Sequence, residues 1–269
     1  ILIIYFAVLI GIGLYCRKHA TDVNGFVLGG RSVGPWLTAF AYGTSYFSAV
    51  VFVGYAGQFG WKYGIAATWA GIGNAIIGSL LAWVVLGRRT RIMSQHLDSA
   101  TMPQYFGKRF GSNPLKIGAS VIIFIFLIPY TASLYNGLSR LFGMAFNIDY
   151  SVCIIIMATL TAIYVIAGGY MATAINDFIQ GIIMLFGIVA VIAAVIHSKG
   201  GFMSALQGLA NVSDPAVSDT PGIFASFFGP DPFNLLCVVI LTSLGTWGLP
   251  QMVQKFYAID NEASIQKGT

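Results

Sequence analysis

The sequence predicts an all-α, polytopic membrane protein, and three observations carry that prediction. Only 9% of its 269 residues are charged and 57% are hydrophobic, with a mean hydropathy of +0.80. Apolar runs long enough to cross a bilayer recur along the chain. Two of these runs are interrupted by polar, glycine-containing patches. Hydrocarbon cannot hydrogen-bond a loosened backbone, so such patches survive only inside protein or along a wet cavity.

Seven spans are expected, over 1–16, 36–57, 61–86, 117–146, 150–168, 174–197 and 233–254. The first is short and the chain begins with Ile1. Its cations, Arg17 and Lys18, follow the apolar run, whereas a signal peptide carries them before it. A clipped first helix is therefore expected. With the N-terminus outside, only Lys62, Arg140 and Lys199 of the fourteen Lys and Arg residues fall on the outer side. That is the positive-inside bias, and it puts the end at residue 269 inside. The net charge of +5 thus reports topology and a lipid bilayer as partner, not nucleic-acid binding. Cys16, Cys153 and Cys237 lack metal-type spacing and read as small buried residues.

The second span opens at Pro35-Trp36 and carries the first interruption, Gly43-Thr44-Ser45-Tyr46-Phe47-Ser48. Gly43 lowers helix preference there, while Thr44, Ser45 and Ser48 add hydroxyls that serve a cation or bond back to their own helix. The third span holds Gly71, Gly73, Gly78 and Ser79, small residues that permit close helix approach. Residues 87–116 form a basic inside segment. Within it, Thr101-Met102-Pro103-Gln104 reads as a capped helix start, and Tyr105, Phe106 and Phe110 among Lys108 and Arg109 suggest an amphipathic helix at the inner leaflet. Pro129 falls midway in the fourth span. Residues 167–177 are expected to join the fifth and sixth spans inside, and a polar outer loop follows over 198–232. The last span carries the second interruption, Ser243-Leu244-Gly245-Thr246-Trp247-Gly248-Leu249-Pro250. Here Ser243, Thr246 and Gln251 offer neutral hydrogen bonds, and Trp247 suits either a gate or packing. A pair of interrupted spans is the pattern of an ion- and solute-binding centre, so transport is the first functional expectation. Asp177, a carboxylate just inside an apolar span, caps its helix or attracts cations at an inner mouth.

The residues also carry a resemblance. Phe26-Val27-Leu28-Gly29-Gly30-Arg31-Ser32-Val33-Gly34-Pro35-Trp36 resembles the entry to the first core helix of the sodium:solute symporter family. Ala167-Gly168-Gly169-Tyr170, with Asn176-Asp177 and Gln180 downstream, resembles its most specific signature. Trp247-Gly248-Leu249-Pro250-Gln251 and Lys255-Phe256-Tyr257-Ala258 resemble the proline-transporter branch.

The resemblance implies an inverted-repeat fold of the leucine-transporter type, five plus five helices after one extra helix. Residues 1–16 would be that extra helix, 36–197 the first five-helix repeat, and 233–254 the first helix of the second. Family members continue through further helices, so a fragment truncated to about seven transmembrane helices is expected. It also implies sodium as the coupling ion and no other cofactor, with the Thr44 and Phe47 carbonyls as the sodium-binding, metal-coordinating positions. Asp177 falls on the inner sodium path. Tyr46, Ser48, Val51, Asn74, Ser243, Thr246 and Trp247 fall at the substrate pocket or its gate. Tyr46 stands where relatives often have Asp or Asn; Val51, Gly71 and Ser243 replace polar residues of sugar carriers. A small amino acid such as proline, or a related carboxylate, is therefore the expected solute of a sodium-coupled symporter in the plasma membrane. The alternative is a non-transporting membrane sensor on the same fold, which a kinase-like C-terminal extension would distinguish. An enzyme is disfavoured, because no nucleophile–base pair, metal cluster or phosphate-binding loop stands in a suitable setting.

Overall fold

The computed structural model describes residues 2–47, 55–218 and 220–269. Among these residues regular structure is helical, and strand-type pairing is confined to two isolated bridges, Val33 with Ile259 and Asp214 with Ser218. Three helical runs are long and apolar enough to cross a membrane: Ala56–His96, Asn113–Phe146 and Tyr150–Ser198. A fourth candidate is a broken pair, Pro232–Gly248 followed by Pro250–Ala258. The chain is thus an all-α membrane protein.

The chain forms two compact units. The first comprises Ile1–Val50, Ala82–Gly181 and Gly248–Thr269. It begins with α1 (Leu2–Cys16), α2 (Val23–Leu28) and α3 (Pro35–Tyr46). Asp22 caps α2 by accepting from the Gly25 amide at 3.0 Å. The second unit comprises Val51–Leu81 and Ile182–Trp247. Its first helices are α4 (Ala56–Tyr63) and α5 (Thr68–Gly73), joined by a 3-10 turn, and α5 runs on into a π-helical stretch, Asn74–Leu81.

After a second π-helical stretch, Trp83–Gly87, the chain enters α6 (Arg88–His96), so the helix extends well past the residue 86 end expected from hydropathy. Charge ends an apolar run but not a helix, since Arg is a good helix former. The expected cap at Thr101 is present and opens α7 (Met102–Phe110), with the hydroxyl accepting from the Gln104 amide at 3.4 Å. Helix α8 (Asn113–Phe146) runs through Pro129, and none of its most apolar stretch is buried. Such a surface suits lipid.

Helical residues then continue through α9 (Tyr150–Ser198), interrupted at Gly169, whose φ of 56° and ψ of −150° are non-helical. Within the segment expected over 167–177 to link two spans, the departure from helix is thus confined to a kink at one residue. Only glycine takes these angles at low cost, and a Cβ on Gly169 would lie 2.8 Å from the Phe26 carbonyl oxygen. At 1.5 Å per residue, an unbroken helix of this length would exceed twice a hydrocarbon core of about 30 Å.

In the second unit the expected outer loop is partly ordered by α10 (Phe202–Ala210), and Phe224 is buried beside it. Trp69 Nε1 donates to the Phe227 carbonyl at 3.0 Å. Helix α11 (Pro232–Gly245) packs Leu235 and Val239 against Tyr63 and Ala66. Cys16 and Cys153 are buried as expected, but Cys237 is exposed on α11.

The first unit closes around α12 (Pro250–Ala258) and α13 (Glu262–Gly268). One side of α12 buries Val253 and Tyr257 against Leu28, Tyr170 and Ala174. Another buries Met252 and Phe256 against Tyr42, Tyr46 and Trp83. Full burial of one such side chain contributes about 2 kcal/mol. Polar bonds fix the register: Gln254 Nε2 donates to the Val27 carbonyl at 2.7 Å, and the Asp260 amide donates to the Val33 carbonyl at 3.0 Å. Arg91, only 3% exposed, donates to the Asp260 carbonyl at 2.8 Å. Arg31 donates to the Ser99 carbonyl at 3.0 Å; burial lowers its pKa from the ordinary value and nearby Asp98 opposes that shift. Cations that read in sequence as topology signals are thus also interior clamps.

Candidate ion and solute site

Helix α3 starts after Gly34 with Pro35 in its first turn, where a missing amide is harmless. It stops at Phe47, whose φ of −92° and ψ of 69° leave the helical region and whose amide donates to the Gly43 carbonyl at 2.9 Å. The first interruption is therefore a helix end, and helix ends turn carbonyls out of the ladder. Thr44 Oγ1 donates back to the Phe40 carbonyl at 2.9 Å, with the Ala41 carbonyl at 3.4 Å. Tyr46 is 8% exposed and packs in the aromatic core, stacked on Tyr42 at 6.3 Å. Ser48 and Val51 lie outside the described residues.

Helix α9 approaches α3 closely. A Cβ on Gly181 would lie 2.6 Å from the Phe40 ring and 3.1 Å from the Thr44 methyl, and Phe40 meets Phe178 edge-on at 4.8 Å. One turn before Gly181 stands Asp177. Its Oδ2 lies 3.5 Å from Lys255 Nζ, with the side chains 22% and 8% exposed. Lys255 Nζ also sits 5.1 Å from the centroid of the Tyr170 ring. Asp177 is thus neither a helix cap nor an isolated acid but half of an interior ion pair. In sequence Lys255 reads as an inside cation and as part of the proline-transporter-like stretch, and nothing there pairs it with Asp177. A carboxylate within an apolar span and a cation just past another were the available signal.

The second interruption breaks at Leu249, whose φ of −68° and ψ of 128° are extended, between a 3-10 turn at Thr246–Gly248 and Pro250. Four expected residues come together here, within the second unit. Asn74 Nδ2 donates to the Ala70 carbonyl at 2.7 Å and to Thr242 Oγ1 at 3.1 Å. Ser243 Oγ, fully buried, donates to Asn74 Oδ1 at 3.4 Å. Thr246 Oγ1 donates to the Ser243 carbonyl at 3.0 Å, and Trp247 Nε1 to the Ile77 carbonyl at 3.0 Å. Asn74 opens the π-helical stretch and Ile77 lies within it; such wide turns recur at functional sites. Thr242, which also bonds the Val238 carbonyl, was not foreseen. Beside the network lies an apolar cavity of about 500 Å³, lined by Trp69, Ile76, Leu235 and Val239 among others.

The first unit thus carries a helix end at Phe47 and the Asp177–Lys255 pair, and the second unit carries an amide–hydroxyl network around Asn74. The model of the sodium:solute symporter family matches residues 26–269. The chain belongs to the sodium:solute symporter family. Like that family, it is membrane-embedded. This symporter-family chain is 31% identical over 259 residues to the osmoregulated proline transporter OpuE of Bacillus subtilis, covering 95% of the chain and 51% of that relative. It is 32% identical over 278 residues to the sodium/proline symporter of Staphylococcus aureus, covering 98% of the chain and 50% of the relative. The chain spans about half the length of these curated relatives.

Proposed function

We propose that the protein is a sodium-coupled secondary active symporter of a small amino acid such as proline, or of a related carboxylate, working in the plasma membrane. The observation that carries this reading is the family match across residues 26–269, with relatives named for proline transport. Its fold is read as an inverted repeat, with 1–16 as the extra helix, 36–197 as the first repeat and 233–254 opening the second. The N-terminus lies outside and residue 269 inside. The solute crosses without being converted.

Sodium is read as a co-substrate held by the Thr44 and Phe47 carbonyls where α3 ends. The Thr44 hydroxyl is engaged with its own helix at Phe40, which favours the carbonyl as this residue's ligand. Asn74, Ser243, Thr246 and Trp247 serve the solute pocket or its gate, as do Tyr46, Ser48 and Val51 on the resemblance. Neutral donors and acceptors suit a zwitterion, which needs no net protein charge. Inward movement of sodium into a negative interior supplies about 2.3 kcal/mol per charge per 100 mV, and occupancy of both sites favours opening inward.

Labelled proline uptake into proteoliposomes, with the protein as its cell makes it, tests the reading. A sodium gradient is expected to drive accumulation. Equal uptake with and without the gradient would sink sodium coupling, and sodium-driven uptake of other solutes but not proline would sink the cargo.

A further inference from the structure

Asp177 and Lys255 are the charged pair inside the first unit, and what surrounds them is unusual. The Nζ–Oδ2 distance of 3.5 Å is longer than the roughly 2.8 Å of a tight charge-assisted hydrogen bond. From the same position Lys255 Nζ also lies 5.1 Å from the centroid of the Tyr170 ring. One turn before Lys255 on α12, the buried amide nitrogen and oxygen of Gln251 find no hydrogen-bond partner among the described residues. The same holds for both amide atoms of Asn176, beside Asp177 and 1% exposed, and for the buried Tyr170 hydroxyl. Buried polar groups of this kind are satisfied by water or an ion. These unpartnered groups lie on the same two helices as the ion pair, α9 and α12, and the Asp177 carboxylate keeps 22% of its side chain exposed.

We propose that Lys255 is a resident counter-ion competing with sodium for the Asp177 carboxylate, so that this acid passes sodium on instead of retaining it. The proposal rests on the sodium reading above. An ammonium and a sodium ion are both monovalent cations that seek the same carboxylate oxygens. With Lys255 in place, a sodium arriving at Asp177 leaves the pair with an excess positive charge, which a poorly solvated interior penalises. The ion therefore binds weakly and leaves readily. The Tyr170 ring and the orphaned amides accommodate the ammonium while it is displaced. A lysine serves here because its compact head sits on a flexible four-carbon stem, whereas a guanidinium would fix a two-point grip. Lys255 acts on sodium through Asp177 and is a positioning residue.

The experiment measures the sodium half-saturation of the purified protein from its thermal unfolding midpoint. Sodium chloride is titrated against choline chloride at constant ionic strength. The variants are Lys255→Gln, Asp177→Asn and the double variant, which removes both charges and keeps the fold testable if either single change leaves a buried charge stranded. Lys255→Gln is expected to lower the half-saturation about tenfold. The double variant loses that gain, and proteoliposome uptake by Lys255→Gln shows a lower sodium requirement with a lower maximal rate. A merely structural ion pair predicts something else: Lys255→Gln melts earlier in choline, yet its sodium half-saturation stays at the wild-type value. That result overturns the proposal alone. A gain that persists in the double variant does the same, because Asp177 would not be the contested ligand. If sodium shifts the midpoint of no variant, wild type included, the sodium reading falls and the proposal with it.

Discussion

At Gly169 the backbone holds φ near 56° with ψ near −150° and touches the Phe26 carbonyl. An alanine there meets both a forbidden conformation and a filled space. Gly169→Ala should cost at least about 2–3 kcal/mol, visible as a lowered unfolding midpoint or lost expression. Thr44 makes a contrasting case. Its hydroxyl bonds its own helix and its methyl faces Gly181, so Thr44→Val preserves the shape and the carbonyl. Sodium half-saturation of uptake should stay within about threefold of wild type, a difference worth less than 1 kcal/mol. A loss of a hundredfold would make the hydroxyl the ligand.

At the scale of the element, α9 and α12 are the helices that carry the Asp177–Lys255 pair. Gly181 lets α9 reach α3, and Gly181→Ala should push the Phe40–Phe178 pair apart and destabilise by about 1–3 kcal/mol, the cost of overpacking. Thermal unfolding checks this. How legible these elements were depended on how local their causes are. The kink near Gly168-Gly169, the cap at Thr101 and the breaks at Phe47 and Leu249 follow from residue types within a few positions, and sequence marked each of these places. The widened turns from Asn74 onward depend on which carbonyl each amide selects, and composition does not record that choice. The bonds from Trp247 to Ile77 and from Lys255 to Asp177 depend on which faces of distant helices meet. Tyr46 illustrates the same limit from the other side: its place in the chain resembles a site position, while its ring lies in the aromatic core.

For the whole molecule, the medium decides stability. Helix α8 presents Phe124, Phe126 and Ile125 outward, with Phe124 70% exposed. In water this face would be a liability, and in hydrocarbon it is solvated. Phe124→Lys should raise the apparent cost of membrane insertion by about 3 kcal/mol, read by a glycosylation-based insertion assay. An equal insertion efficiency would mean that α8 faces protein or water instead.

The bond from Gln254 to the Val27 carbonyl joins residues 227 positions apart, and the bridge of Val33 with Ile259 repeats the span. This stitching has a consequence for manufacture. A ribosome adding about 5–20 residues per second needs roughly 10–45 seconds to travel that distance. Through that interval α2 and the start of α3 are already made, while the α12 surface that buries Leu28 and Tyr42 is still untranslated. The helices around Leu28 and Tyr42 must wait in the translocon's company until α12 is made, so residues synthesised later lock earlier ones into place.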